Sequence, residues 1–428
     1  MERNVGAVAK VGALVGGALV LAAALTGCGA ASVRAGSPAA PITVGAVFPI
    51  HGMQSVLGTE ELRGVQLAVR LVDQDGGVGG RPVQLAVQDL ETRDQAAGAV
   101  AAVRNKGASV VIGAFSSQLS LPAAAAASAD GIVYWEAGAV ADQLTGPASP
   151  LVFRVGATGG DLGRNSANFA ATVLAPKLGL TAASTRMAVL YEDDAYGQSV
   201  ADAALSAATA AGMPVVSRVS YDAYNPDWSG VLAQLAAARP DVVVLASYIP
   251  DGIAFRRAML ASGLSVGALI GSTMAECGPT FGSELGAQAV GVFASDRPEG
   301  GFNPGALDAT GRRDYDRFAA AWKAETGEAT PSEEGLAGFS AGWALLHYVL
   351  PRATSMNPAG IAGAARSLVL PAGTLPNGAG VQFGTGAQLG QNVLAAAVIW
   401  QWQSPGHSVV VWPPEYATGS PRFVPLPA

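Results

Sequence analysis

The residues best placed by type and spacing to do covalent chemistry are Gly338-Phe339-Ser340-Ala341-Gly342, a G-x-S-x-G pattern. In a hydrolase this pattern sits on a sharp strand-to-helix turn that lifts the serine Oγ above a sheet, with an acid and then a histidine downstream. Neither condition is met. Ser332 followed by Glu333 and Glu334 reads as a capped first helical turn, and Trp343, Leu346 and Leu350 continue at helical spacing. No Asp follows Ser340, and the single later Glu, Glu415, comes after His407. A small-residue helix face for close packing explains the pattern better, so a Ser340 hydrolase is the weakest functional alternative. No enzyme is expected.

Metal and cofactor chemistry fares no better. His51, His347 and His407 lie far apart without ligand spacing, and two cysteines cannot make a Cys-rich metal site or a disulfide framework. No phosphate loop occurs, and the glycines of 384–390 do not open a first βα turn, so no cofactor is expected. The chain has 428 residues, half of them apolar and 13% charged, with a net charge of -7. That composition excludes a disordered chain and, lacking a basic surplus, a nucleic-acid binder.

What remains is a set of polar and small residues where strands must end. Ala114-Phe115-Ser116-Ser117-Gln118 leads from an apolar strand into a helix, where free N–H groups and hydroxyls can seat an anion such as a carboxylate. The plainer reading is that Ser116 or Ser117 only caps the helix. Glu136-Ala137-Gly138-Ala139-Val140 is a small-residue loop that lets main chain approach a guest. Tyr196, Tyr248 and Glu276 follow three later strands and can face an ammonium and a side chain.

These positions depend on strands that alternate with helices. Strands are expected at 42–47, 83–87, 110–113 and 132–135, and helices at 60–75, 93–106 and 117–130. The pattern restarts with helices at 161–178, 195–211, 228–238 and 250–264. Strands at 187–191, 214–221, 241–247, 268–271 and 289–294 alternate with them. Helices at 312–326 and 332–356 and strands at 393–402 and 408–412 suit a chain that returns to complete both earlier units. The fold class is α/β, with two successive parallel sheets covered on both faces.

The first residues read as an address. Arg3 and Lys10 precede an uncharged apolar run, 11–25, of signal-peptide length. Leu25-Thr26-Gly27-Cys28 resembles the lipobox of bacterial lipoproteins, whose cysteine takes a diacylglycerol anchor; the alternative is an ordinary leader cleaved near Ala30. Residues 29–41 read as a flexible tether.

Together these stretches resemble the branched-chain amino-acid-binding protein family, the type I periplasmic receptors of ABC importers. The resemblance covers about 42–415 and rests on DQDGGVGGR at 73–81, VIGAFSS at 111–117, RPDVVVLASY at 239–248 and Val410-Val411-Trp412-Pro413. It implies two doubly wound lobes joined by three crossovers, 42–153 with 297–380 and 154–296 with 381–428, closing on a ligand like a flytrap. Carried over by position, Ser117 and the Val140 N–H hold the ligand carboxylate. The Gly138 carbonyl, beside Ala139, and Glu276 hold its ammonium. Tyr196 and Tyr248 close from the second lobe, and Leu57 lines the first-lobe wall.

The family's usual threonine is replaced by Val140. Its N-lobe disulfide is absent because Ser116 takes one of the positions, which leaves Cys277 a free thiol. If Glu136 faces the cleft, a more cationic or amide-bearing guest follows; otherwise it points to solvent. The implied protein is exported, lipid-anchored through Cys28 and monomeric. It passes an amino acid or analogue to an ABC importer's transmembrane subunits. A sensor signalling to a partner is the runner-up.

Overall fold

The structure is a computed structural model that describes residues 40–428 except Met274, Ala275 and Cys277. The expected leader, Cys28 and Cys277 therefore lie outside the described residues. Strands β1 (Ile42–Phe48), β2 (Val83–Asp89), β3 (Val110–Gly113), β4 (Val133–Glu136) and β5 (Val152–Arg154) form a parallel sheet in the order β2-β1-β3-β4-β5.

A second sheet is built from β6 (Met187–Glu192), β7 (Val215–Tyr221), β8 (Val242–Ala246), β9 (Ala268–Ser272) and β10 (Phe293–Asp296). After a small hairpin, β11 (Val369–Leu370) with β12 (Val381–Gln382), the chain adds β13 (Val398–Ser404) and β14 (His407–Trp412). The order is β14-β13-β10-β9-β8-β6-β7, with β13 and β14 antiparallel.

Side-chain alternation explains why both sheets are buried. In β8, Val242, Val244 and Ala246 enter one apolar cluster while Val243 and Leu245 enter the cluster on the opposite face. In β4, Val133 and Trp135 point one way and Tyr134 the other. A period of two with apolar residues on both faces is the mark of a parallel sheet sandwiched between helices. β2, at the edge, is the wetter strand that its Gln84 and Gln88 imply.

The chain passes between the sheets three times: after β5, after β10, and between β12 and β13. The first and third passages are knotted together by buried polar groups. Arg154 donates to Gln391 Oε1 and to the Ala141 carbonyl, both at 2.7 Å, and Asn392 Nδ2 donates to the Val155 carbonyl at 2.9 Å.

Several elements differ from expectation. The strand expected at 289–294 begins at Phe293, after a 3₁₀ turn over Gly286–Ala289. The strand expected at 393–402 begins at Val398. The long helix expected from 332 to 356 is regular only over Glu333–Trp343; it widens over Ala344–Val349 and stops near Pro351, which supplies no N–H. Helix Pro358–Ser367, capped by Asn357 Oδ1 accepting from Gly360 N, was not anticipated, nor was the three-residue β5. Among the described residues no helix is long and apolar enough to cross a membrane.

Ser340 lies inside helix Glu333–Trp343, which packs on helix Ser55–Gln74. The glycines permit that approach. A Cβ on Gly338 would stand 2.0 Å from the Glu61 carbonyl oxygen, and one on Gly64 would stand 2.1 Å from that of Gly335. Gly338→Ala is therefore expected to destabilise the protein by about 1–3 kcal/mol through overpacking, although alanine is the better helix former. Urea denaturation at constant m-value checks it.

Candidate functional site

In each sheet the strand order reverses beside one strand, at β1/β3 in the first and at β6/β8 in the second. Loops leaving the carboxyl ends there diverge and open a crevice. Residues 114–117 leave β3, and Ser117 starts helix Ser117–Ala129, so its N–H has no acceptor within the helix. Phe115 holds a left-handed backbone at φ 80°, as does Thr273, at φ 31°, past the end of β9. Such strain in non-glycine residues tends to gather at ligand clamps.

The two serines have separate roles. Ser116 makes no side-chain cap, and its buried Oγ has no hydrogen-bond partner among the described residues, so the capping reading is corrected for it. Ser117 Oγ accepts from Val140 N at 3.3 Å and Ala141 N at 3.0 Å. A hydroxyl accepts twice and donates once, so the Ser117 proton is left for a guest.

The second sheet supplies the opposing wall. Tyr196 and Tyr248 meet edge to face at 5.4 Å. Tyr196 OH donates to the carbonyls of Ser272 and Ser247, and Tyr248 OH donates to Asp194 Oδ2 at 2.8 Å. Between the walls about 10 Å³ remains, roughly the room one water centre needs.

Ser117, Gly138, Ala139, Val140, Tyr196 and Tyr248 all line this space. Leu57 does not: it faces the apolar cluster under the first sheet, because its side of helix Ser55–Gln74 is the packed one. Glu276 does not either; it is fully buried, with the Ser247 hydroxyl donating to its carboxylate at 3.2–3.3 Å. Phe115, Ser116, Thr273 and Arg297 complete the lining. Of these, Phe115 and Ser116 belong to the stretch expected to seat an anion, and Arg297 carries no local pattern that marks it.

Arg297 follows β10 directly and is the central charge. Its guanidinium donates to the Gly138 carbonyl at 2.7 Å and, as a fork, to Glu333 at 2.5 and 3.2 Å, with Asp296 at 3.5 Å. The carbonyl expected to hold an ammonium thus already accepts from Arg297. Glu136 faces neither cleft nor solvent. It is buried and accepts from its own loop, from Gly138 N and Ala139 N, both at 2.8 Å. The small-residue loop is therefore wrapped around a carboxylate, which fixes its shape.

Burial dominates the titration of these carboxyls. It pushes Glu136 and Glu299 up to about 7 and raises Glu61, Glu276 and Glu333 as well. Between the ordinary value near 4.5 and the raised one, the folded chain holds protons that the unfolded chain has released, so stability falls as pH rises. One unit is worth about 1.4 kcal/mol. The thermal midpoint is expected to drop by several degrees from pH 5 to pH 8, as scanning calorimetry at fixed ionic strength would show; a midpoint that rises would contradict these environments.

A family model described as periplasmic binding protein matches residues 41–402. A Leu/Ile/Val-binding protein homolog of Brucella abortus is 31% identical over 90% of this chain and 93% of its own length. A second such homolog, from Brucella suis, is 29% identical over 95% and 98%.

Among solved structures, a leucine binding protein of Thermotoga maritima matches with a TM-score of 0.73 at 20% identity, over 87% of this chain and 98% of its own. A branched-chain amino acid transporter substrate binding protein of Streptococcus pneumoniae, solved with isoleucine, matches at 0.70 and 20% identity, over 87% and 100%. At such identities the likeness is one of fold.

Proposed function

The chain belongs to the periplasmic binding protein family, in its branched-chain amino-acid-binding type I branch, and from that premise we propose that it captures an amino acid or close analogue by closing its two lobes on it, unchanged, for delivery to an ABC importer. The observation that carries this reading is the pairing across the crevice. On one side stand a buried hydroxyl without a partner among the described residues, Ser116, a second with its proton to give, Ser117, and a helix N-terminus; two tyrosines stand opposite. Donors gathered at a helix start favour a carboxylate. The relatives named for leucine, isoleucine and valine support an apolar amino acid as the guest.

In this reading Glu276, which does not line the closed space, acts on the ammonium through the Ser247 hydroxyl that donates to it. The lobes are 42–153 with 297–380 and 154–296 with 381–428, and the three passages are the hinge. Closure follows if the guest binds the closed state better than the open one. Export with a diacylglycerol on Cys28 would keep the receptor at the outer face of the cytoplasmic membrane beside the importer.

Ser117→Ala and Glu276→Ala are each expected to weaken L-leucine binding by more than about 1 kcal/mol, roughly fivefold or more, the scale of a lost charge-assisted hydrogen bond. Calorimetric titration measures it. Two variants that bind as the parent does would remove both residues from the seat.

A further inference from the structure

Outward of the inner space, a second cavity of about 250 Å³ opens between the same two sets of loops. Tyr248 lines both. Met53 and Gln54, past β1, form one wall; Glu192, at the end of β6, and Tyr224, past β7, form the other. The two walls already touch, because Gln118 accepts from Gln54 Nε2 at 3.2 Å and donates to Tyr224 OH at 2.7 Å.

The polar groups of this cavity are unevenly served. Asp251 accepts from Tyr221 OH at 2.5 Å and from Tyr248 N, and Asp194 accepts from Tyr248 OH and caps helix Ala195–Ala210. Glu192 is different. It is 7% exposed, and its Oε2 has no hydrogen-bond partner among the described residues. Gln54 Oε1, on the facing wall, is likewise buried and unpartnered. Gln54 Oε1 is an acceptor, and Glu192 becomes one when it gives up its proton. Burial, and after it the charges of Asp194, Asp251 and Asp222, pushes Glu192 up to about 9, so it keeps a proton at neutral pH. Among the described residues no Lys or Arg lines the cavity. The mouth is apolar, with Met53 79% and Tyr224 72% exposed.

A buried carboxyl without a partner among the described residues, crowded by neighbouring carboxyls, and an apolar mouth fit a guest with a positively charged N–H donor at one end, which takes the place of the carboxyl's proton, and a hydrocarbon body. We propose that this outer cavity is a second subsite of the cleft that binds a primary alkylammonium group, with Glu192 and Gln54 as its acceptors. It stands apart from the carboxylate seat at Ser116 and Ser117. A cation there completes the hydrogen bonding of both walls and relieves the carboxylate repulsion.

The test uses calorimetry on the full-length chain with n-butylammonium as the probe, and n-butanol and butyrate as the neutral and anionic counterparts. The expected result is saturable one-to-one binding of n-butylammonium alone, weakened at least tenfold by Glu192→Gln and also weakened by Gln54→Leu. L-leucine binding in Glu192→Gln serves as the folding control and is expected to match the parent. Loss of leucine binding in the parent would indict the inner seat without touching this subsite. Equal binding of n-butanol, no binding of n-butylammonium, or binding indifferent to Glu192→Gln would overturn the proposal.

Discussion

Arg297→Met is expected to cost about 3–5 kcal/mol of folding stability, the range for removing one partner of a buried ion pair. Arg297 is 3% exposed and is the cation that faces Glu333, Asp296 and Glu61. Without it, three buried carboxyls lose their counter-charge and the Gly138 carbonyl loses its donor. The variant's deficit should be smaller at pH 5 than at pH 8, because Glu61 and Glu333, already raised by burial, lose the charge that lowers them and are neutral in acid. Arg297→Lys keeps the charge but not the fork and should fall between. A double change, Arg297→Met with Glu333→Met, should recover part of the loss, since a buried pair replaced by apolar groups is often neutral. Guanidinium denaturation at the two pH values checks the series; a loss independent of pH and not recovered in the double variant would make Arg297 a packing residue only.

Glu61 is the opposite case. It is fully buried between the two packed helices, and neither carboxyl oxygen has a hydrogen-bond partner among the described residues. Its Oε2 lies 2.2 Å from where a Cβ on Gly138 would stand, so it abuts the seat loop. Burial holds its titration well above the ordinary range, with Glu136 and Glu333 adding to the rise. Leaving such a group unsatisfied costs about 1–3 kcal/mol, more when it is charged. Glu61→Met is therefore expected to stabilise the protein by about that amount at pH 8, and less at pH 5, close to the ordinary glutamate value, where protonating the buried carboxyl costs little. A lower denaturation midpoint at pH 8 would mean that Glu61 holds Arg297 in place more than it burdens the core.

How much of this was legible depended on whether the signal was local. The strand ends were marked by short apolar runs followed by Ser, Gly and Tyr, and those residues do face one space: Ser117, Gly138, Ala139 and Val140 against Tyr196 and Tyr248. Leu57 was misplaced because a leucine near a helix start serves a wall or a core equally well, and only packing decides. Glu136 was left between cleft and solvent, yet it folds back onto amides two and three residues on, a local turn hidden in a strand-like run.

Arg297 was invisible for a different reason. Its hydrogen-bond partners Glu333 and Gly138 lie 36 residues ahead and 159 behind, and the adjacent Asp296 alone does not mark it. The same holds for the knot of Arg154 with Gln391, which spans 237 residues. Helix Pro358–Ser367 was missed because its Ala- and Gly-rich face offers little periodicity, although Asn357 and Pro358 were readable as cap and first turn.

The central claim is that the crevice between the two sheets retains a small amino acid and returns it chemically unaltered. Equilibrium dialysis of the protein against labelled L-leucine, followed by chromatography of the released label, tests it most directly. Saturable retention of one leucine per chain, recovered as leucine, is the predicted result. No retention of leucine, isoleucine or valine, or recovery of the label in a different compound, would contradict it.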